Sequence, residues 1–198
     1  DNDTAGFTVS KTSVTTSETG TTDSFTIKLN SQPTATVLLP VSSSNLNEGT
    51  ITTGATVTFT TTDWNSNHTV TVRGVDDQVA DGNQDYAIVL GTATSTDTNY
   101  NGLNPADLTA TNTDNDVPGF VVTPIAPATS FPLTTSESGA FADFTVRLLT
   151  QPTGNVVLPV SSSNTAEGTI FSGSQLVFTT ANWNALQTVT VKGADDAI

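Results

Sequence analysis

The chain of 198 residues contains no cysteine and no methionine. Without cysteine there is no disulfide, no thiol nucleophile and no thiolate metal site, and the redox compartment cannot be read. Lack of an initiator methionine points to a processed or excised piece of something longer. Cations are almost as scarce: five Lys plus Arg stand against nineteen Asp plus Glu, a net charge of −14. Phosphate recognition needs clustered cations, so nucleic acid and anionic membrane are not expected partners. No apolar run approaches the roughly 20 residues of a membrane span, no secretion signal is read, and membrane insertion is not expected. The single histidine, His68, reads as a surface residue with no catalytic triad around it. Helical periodicity is missing too, and alternation of period two stands in its place.

Threonine is what the chain has in abundance, 41 of 198 residues. That β-branched bias suits strands and is typical of exported repeat proteins. Asn2-Asp3-Thr4 and Asn67-His68-Thr69 are formal N-glycan sequons. The second feature is a repeat. Asp1-Asn2-Asp3-Thr4-Ala5-Gly6-Phe7 returns as Asp114-Asn115-Asp116-Val117-Pro118-Gly119-Phe120. Thr15-Thr16-Ser17-Glu18 returns as Thr134-Thr135-Ser136-Glu137, and Glu48-Gly49-Thr50-Ile51 as Glu167-Gly168-Thr169-Ile170. Trp64-Asn65 returns as Trp183-Asn184, and Gly74-Val75-Asp76-Asp77 as Gly193-Ala194-Asp195-Asp196. The period is roughly 115 residues, the size of a domain rather than of a solenoid repeat. The expected organisation is therefore two tandem domains, residues 1–116 and 117–198.

In the first unit the alternation predicts strand A at Gly6–Ser10, B at Asp23–Asn30, C at Thr36–Ser43 and D at Thr56–Thr61. Strand E follows at Thr69–Val75, F at Tyr86–Thr94 and G at Leu108–Thr113. Pro40 inside C marks a bulge or an edge. About seven short strands with turn signals between them predict an all-β chain of tandem immunoglobulin-like antiparallel β-sandwiches.

If consecutive strands run antiparallel, the A–B, C–D and E–F loops and the exit from G share one end. Glu18, Asp23, Glu48, Asp76, Asp77, Asp81, Asp85, Asp114 and Asp116 then gather at that pole, with only Asp63, Asp97 and Asp107 at the other. Converging carboxylates repel by about 1 kcal/mol or more per close pair unless a cation sits among them. Lys28 and Arg73 are too few for nine acids. A hard divalent ion with six to eight oxygen ligands answers the charge, and calcium suits it better than magnesium, which demands a tighter octahedron.

The second unit departs from the first in two places. Thirteen residues separate Phe120 from Thr134, against seven between Phe7 and Thr15. The insertion carries Pro124, Pro127 and Pro132 and predicts a bulged or doubled A strand. The sequence stops at Ile198 with nothing to match strands F and G, so the second sandwich is incomplete as written. Either the sequence was cut short or those strands come from another chain by strand donation.

Three motifs now stand in order: Glu18 in Thr16-Ser17-Glu18, Val75-Asp76-Asp77 closing strand E, and the Asp-x-Asp of Asp114 and Asp116 after strand G. This ordered set resembles the Calx-β domain, in its bacterial tandem surface-protein form. The resemblance covers residues 1–116 and what exists of 117–198. It implies calcium held by Glu18, Asp76, Asp77, Asp114 and Asp116, and in the second unit by Glu137, Asp195 and Asp196. Asp81, Asn45 and Glu48 are weaker candidates; Asn164 and Glu167 are the equivalents of the last two. Asp1 and Asp3 would serve a preceding unit.

The expectation is a non-enzymatic calcium-binding structural module of a bacterial extracellular protein, a stalk, adhesin or filament at the cell surface. Its partners would be neighbouring repeats of the same protein, with self-assembly or a glycan or surface ligand as further options. Two alternatives differ in class: a carbohydrate-binding or adhesive module using the opposite pole, and a subunit polymerising by strand donation. Trp64 and Trp183 could stack on sugars, but their repeated placement favours packing.

Overall fold

The computed structural model describes residues 2–195. The expectation for Asp1 and that for Asp196 fall outside the described residues. Among the described residues every regular element is a β-strand, as the period-two pattern requires. By contacts the chain divides into one unit of Asp1–Asp77 and Asp81–Asn115, and another of Gln78–Ala80 and Asp116–Ile198.

The first unit has ten strands rather than about seven. They are β1 (Phe7–Val9), β2 (Ser13–Ser17), β3 (Thr22–Leu29), β4 (Val37–Ser43) and β5 (Gly49–Thr53). After them come β6 (Thr56–Phe59), β7 (His68–Gly74), β8 (Gln84–Leu90), β9 (Thr94–Ser95) and β10 (Leu108–Thr113). One sheet runs β1-β3-β7-β5; the other runs β2-β10-β8-β4-β6, with β9 also on β4. They stack as an immunoglobulin-like sandwich. Phe25, Ile27, Leu29, Val70 and Val72 of the first sheet meet Val37, Leu39, Phe59, Ile88 and Leu90 of the second in one buried core. Each of these residues is an inward position of an alternating strand. Tyr100 closes the end of the core away from the acids, its hydroxyl donating to the Ser31 carbonyl at 2.6 Å.

Three of the strands escaped the alternation. β2 holds one apolar residue, Val14, and its second buried position is Thr16. β5 holds only Ile51, and it shifts register between Ile51 and Thr53 before Gly54 turns at φ 79°. β9 is two residues long. A pattern of apolar residues cannot report strands that contribute one apolar side chain or none. A further correction concerns direction. β2 pairs parallel with β10, Val14 opposite Ala110 and Ser17 opposite Thr113, so the sandwich is not wholly antiparallel. Pro40 is neither a bulge nor on an edge: β4 has β6 on one side, and beside Pro40 its other partner changes from β9 to β8. Proline has no N–H to give, and a change of partner is where a central strand tolerates that.

The second unit repeats part of this plan. β11 (Phe120–Pro124), β12 (Phe141–Leu148), β14 (Gly168–Ser172) and β16 (Gln187–Gly193) form a sheet in the order β11-β12-β16-β14, and β13 (Val156–Pro159) pairs with β15 (Gln175–Phe178). Val146, Leu148, Leu176, Phe178 and Val189 make its smaller core. The proline-rich insertion does not double the first strand; 125–140 is irregular. Thr134–Ser136, matching the end of β2, is not a strand. β2 depends on β10, and among the described residues this unit has no counterpart of β10 to pair with.

Two expectations follow. Gly49 faces Tyr86 so closely that an added Cβ would overlap the phenol oxygen and ring. Gly49→Ala should cost about 1–3 kcal/mol through overpacking; an unchanged midpoint in urea unfolding of the full chain would refute this. Asp97 closes a loop by accepting the Thr34 N–H at 2.7 Å and the Asn99 N–H at 2.9 Å. Those bonds, the first foremost, hold its carboxyl below the usual carboxylate range. The unfolded chain therefore binds the proton more readily, and this contribution to stability is complete above about pH 4 and lost as pH falls through the depressed folded value. Acid unfolding of Asp97→Asn should show a shallower loss over that window than the parent chain.

Candidate metal centre

The site begins with strand ends that finish together. Strands in a parallel pair run out on the same side, so β2 and β10 end side by side. The Glu18 N–H then donates to the Thr113 carbonyl at 3.1 Å, carrying the pairing one residue further. β7 joins them: the Gly74 N–H donates to the Thr21 carbonyl and the Val75 N–H to the Glu48 carbonyl, each at 3.0 Å. Gly74 must be glycine, because a Cβ there would overlap the Ser17 carbonyl and approach Asn112 Oδ1 to 2.5 Å. Backbone thus packs on backbone at this pole.

Onto that platform the chain places carboxylates. Glu18 is 4% exposed, and its Oε2 accepts the Asn115 N–H at 3.0 Å. Asp114 Oδ2 accepts the Gly82 N–H at 2.7 Å, while its own N–H donates to Asn83 Oδ1 at 3.1 Å. Asp76 Oδ1 accepts from the Asn115 side-chain amide at 3.1 Å. Glu18, Asp114 and Asp116 each offer a carboxylate oxygen, and these oxygens lie within 4.8 Å of one another. Oxygens this close could share one divalent cation, since two ligands of a calcium ion at about 2.4 Å can stand up to about 4.8 Å apart. The all-oxygen donor set suits a hard cation such as calcium. Arg73 lines a shallow depression of about 380 Å³ together with Glu18 and Asp76.

The remaining sequence candidates sit as follows. Asp76 stands one hydrogen bond from the group, through Asn115, and Asp77 is half-buried outside it. Asp81 is exposed, and its backbone carbonyl accepts from Gln84. Asp85 accepts from the Thr111 hydroxyl at 2.7 Å, and Asp23 accepts from Lys11 at 2.5 Å. Asn45 Oδ1 caps its own turn by accepting the Asn47 N–H, and Asn164 does the same with Ala166. Glu48 turns inward, away from the group, to the Asn112 amide. In the second unit Glu137, Glu167 and Asp195 are exposed, and among the described residues they enter no such group.

The acids of the opposite pole have a different occupation. Asp63 accepts the Thr60 N–H at 2.6 Å, Asp107 accepts the Leu90 N–H at 2.9 Å, and Asp97 holds its loop as above. Asp63 and Asp97 cap turns, the ordinary use of a lone Asp, while Asp107 holds the end of β8. Trp64 and Trp183 are half-buried against the two cores, a packing role. His68 departs from its surface expectation: it is half-buried, with its ring 4.7 Å from that of Phe59.

What the sequence reading missed is amide chemistry. Asn83, Asn112 and Asn115 each hydrogen-bond an acid of this pole or the residue beside one. Asn115 was legible only as the spacer in Asp-x-Asp. A neutral amide in a single sequence carries no charge pattern to mark it.

No protein-family model matches the chain, and no curated protein does. Among solved structures, CBD12 from CALX1.2 overlaps with a TM-score of 0.39 at 13% identity, over 93% of this chain and 74% of that one. The YadV chaperone gives 0.39 at 9% identity, over 93% and 84%. Domains 4–9 of the surface layer protein SbsC give 0.33 at 14% identity, over 98% of this chain and 28% of that one. Overlap this loose carries neither a ligand nor a role from those proteins to this chain.

Proposed function

We propose that the chain is a non-enzymatic structural module of a bacterial extracellular repeat protein, and that calcium bound at the exit of β10 stiffens the segment leading out of the first unit. One observation carries the reading: three carboxylates, one of them 4% exposed, converge to within 4.8 Å where two strands end together. Three like charges brought so close in a partly buried place are costly without a counter-ion. Bound calcium would supply that positive charge and a preference for oxygen ligands without redox or acid–base chemistry.

The chain's own residues do the rest. Glu18 and Asp114 would hold the ion from two strands of one sheet, and Asp116 from the chain beyond. Asn115 orients two acids at once, through its backbone to Glu18 and its side chain to Asp76. Gly82 and Asn83 fasten Asp114 from the loop after β7. An ion ligated on both sides of Asn115 would restrain Asp114–Asp116, which otherwise has the freedom expected between domains. An exported strut needs only saturation at roughly millimolar calcium, an affinity that extracellular modules reach.

Calcium at a hundred times its dissociation constant should stabilise the chain by about 2.7 kcal/mol. The rise in melting temperature over the chelated protein should be absent in Asp114→Asn; a parent melt indifferent to calcium removes the reading. Separately, spin labels in the two units should give a distance distribution that narrows on adding calcium in the parent and stays broad in Asp116→Asn. Equal breadth with and without the ion would leave a metal site but no strut.

A further inference from the structure

We infer that Asn112 is the positioning residue of this pole: its buried amide sets the spacing of the acids above it, with Glu48 as its brace and not a ligand. The inference rests on the calcium reading for its consequence, but its geometry stands on the contacts of Asn112 with Thr16, Val75 and Glu48. Asn112 is 1% exposed, and its side chain joins four parts of the first unit. Its Oδ1 accepts the Thr16 hydroxyl on β2 at 3.1 Å. Its Nδ2 donates to the Val75 carbonyl just past β7 at 2.8 Å and to Glu48 Oε2 just before β5 at 3.4 Å. Rotating the amide by half a turn would aim its oxygen at a carbonyl and a carboxylate, two acceptors, so its orientation is determined by its partners.

Each tethered strand end carries an acid one or two residues further along. Thr16 is followed by Glu18, Val75 by Asp76, and Asn112 itself by Asp114. Residues i and i+2 of an extended strand share a face, so Thr16 fixes where Glu18 emerges and Asn112 fixes where Asp114 does. The surroundings are shaped to this one side chain: a Cβ on Gly74 would come within 2.5 Å of Asn112 Oδ1. The Tyr86 hydroxyl, 3.5 Å from that of Thr16, closes the network from β8. Glu48 is 8% exposed. Its counterpart Glu167, in a unit whose described residues include none matching Asn112, is exposed. Buried polar networks are a costly way to fill space compared with apolar packing. What such a network offers in return is a defined separation between the strands it joins.

The test is a calcium titration of the full chain by calorimetry, well below every melting point, alongside melts in chelator. Asn112→Ala should weaken calcium binding by about 10- to 100-fold, as loss of an orienting partner does at metal sites. Thr16→Val, which removes one of the bonds and is the gentler change should Asn112→Ala not fold, should weaken it by a smaller factor. Glu48→Gln keeps an acceptor for the amide and should weaken calcium binding far less than Asp114→Asn does. A role in stability alone predicts lower melting in chelator with unchanged affinity for Asn112→Ala and Thr16→Val, and that result overturns the inference. So does a loss in Glu48→Gln as large as that in Asp114→Asn, which would make Glu48 a ligand. A parent chain that gives no calcium heat while still melting cooperatively removes the calcium reading itself, and this inference with it.

Discussion

The parallel pairing of β2 with β10 is the constraint on which the rest of the first unit depends. Antiparallel neighbours finish at opposite ends, whereas parallel neighbours finish together. Because β10 takes β8 on one side and β2 on the other, residues from the two extremes of the unit leave the sheet at the same edge. Glu18 and Asp114, remote in sequence, become neighbours for that reason. The same arrangement lets β1 and β2 belong to different sheets, so the opening stretch of the chain closes both faces of the sandwich.

The acids of the first unit fall into two physical classes, and their settings separate them. Asp63, Asp97 and Asp107 each stand alone and accept backbone N–H groups, Asp63 and Asp97 at turns and Asp107 at the end of β8. At the other pole the carboxylates of Glu18, Asp114 and Asp116 converge. Backbone and amide N–H groups from Gly82 and Asn115 order the cluster but bring no net charge. A strongly negative composition does not by itself distinguish a solubilising surface from an ion site. Convergence of Glu18, Asp114 and Asp116 is the observation on which the ion proposal rests.

The chain also contains its own comparison. Glu48-Gly49 and Glu167-Gly168 are the same words, and both turns are built alike, with glutamate and glycine N–H groups reaching back to Asn45 or Asn164. Yet Glu48 is buried against Asn112 while Glu167 is exposed. Local sequence is therefore sufficient for the turn and insufficient for the burial. The difference is the presence of β8 and β10, whose side chains form the other wall. Thr134–Ser136 makes the same point in backbone terms, losing the strand conformation that Thr15–Ser17 has on β10.

By itself the sequence determined the all-β class and, in the first unit, the position of the strands that alternate apolar and polar residues. Those properties follow from periodicity, which is local. It left β2, β5 and β9 invisible, because strands of threonine, serine and glycine bury too few apolar groups to leave a pattern. The tertiary structure alone decided which acids converge: Glu18, Asp114 and Asp116 do, while Glu48 turns inward and Asp85 and Asp23 are taken up by Thr111 and Lys11. Carboxylates look alike in a sequence, and what separates a ligand from a cap or a brace is the set of donors within about 3 Å of it, which only the packed sheets supply.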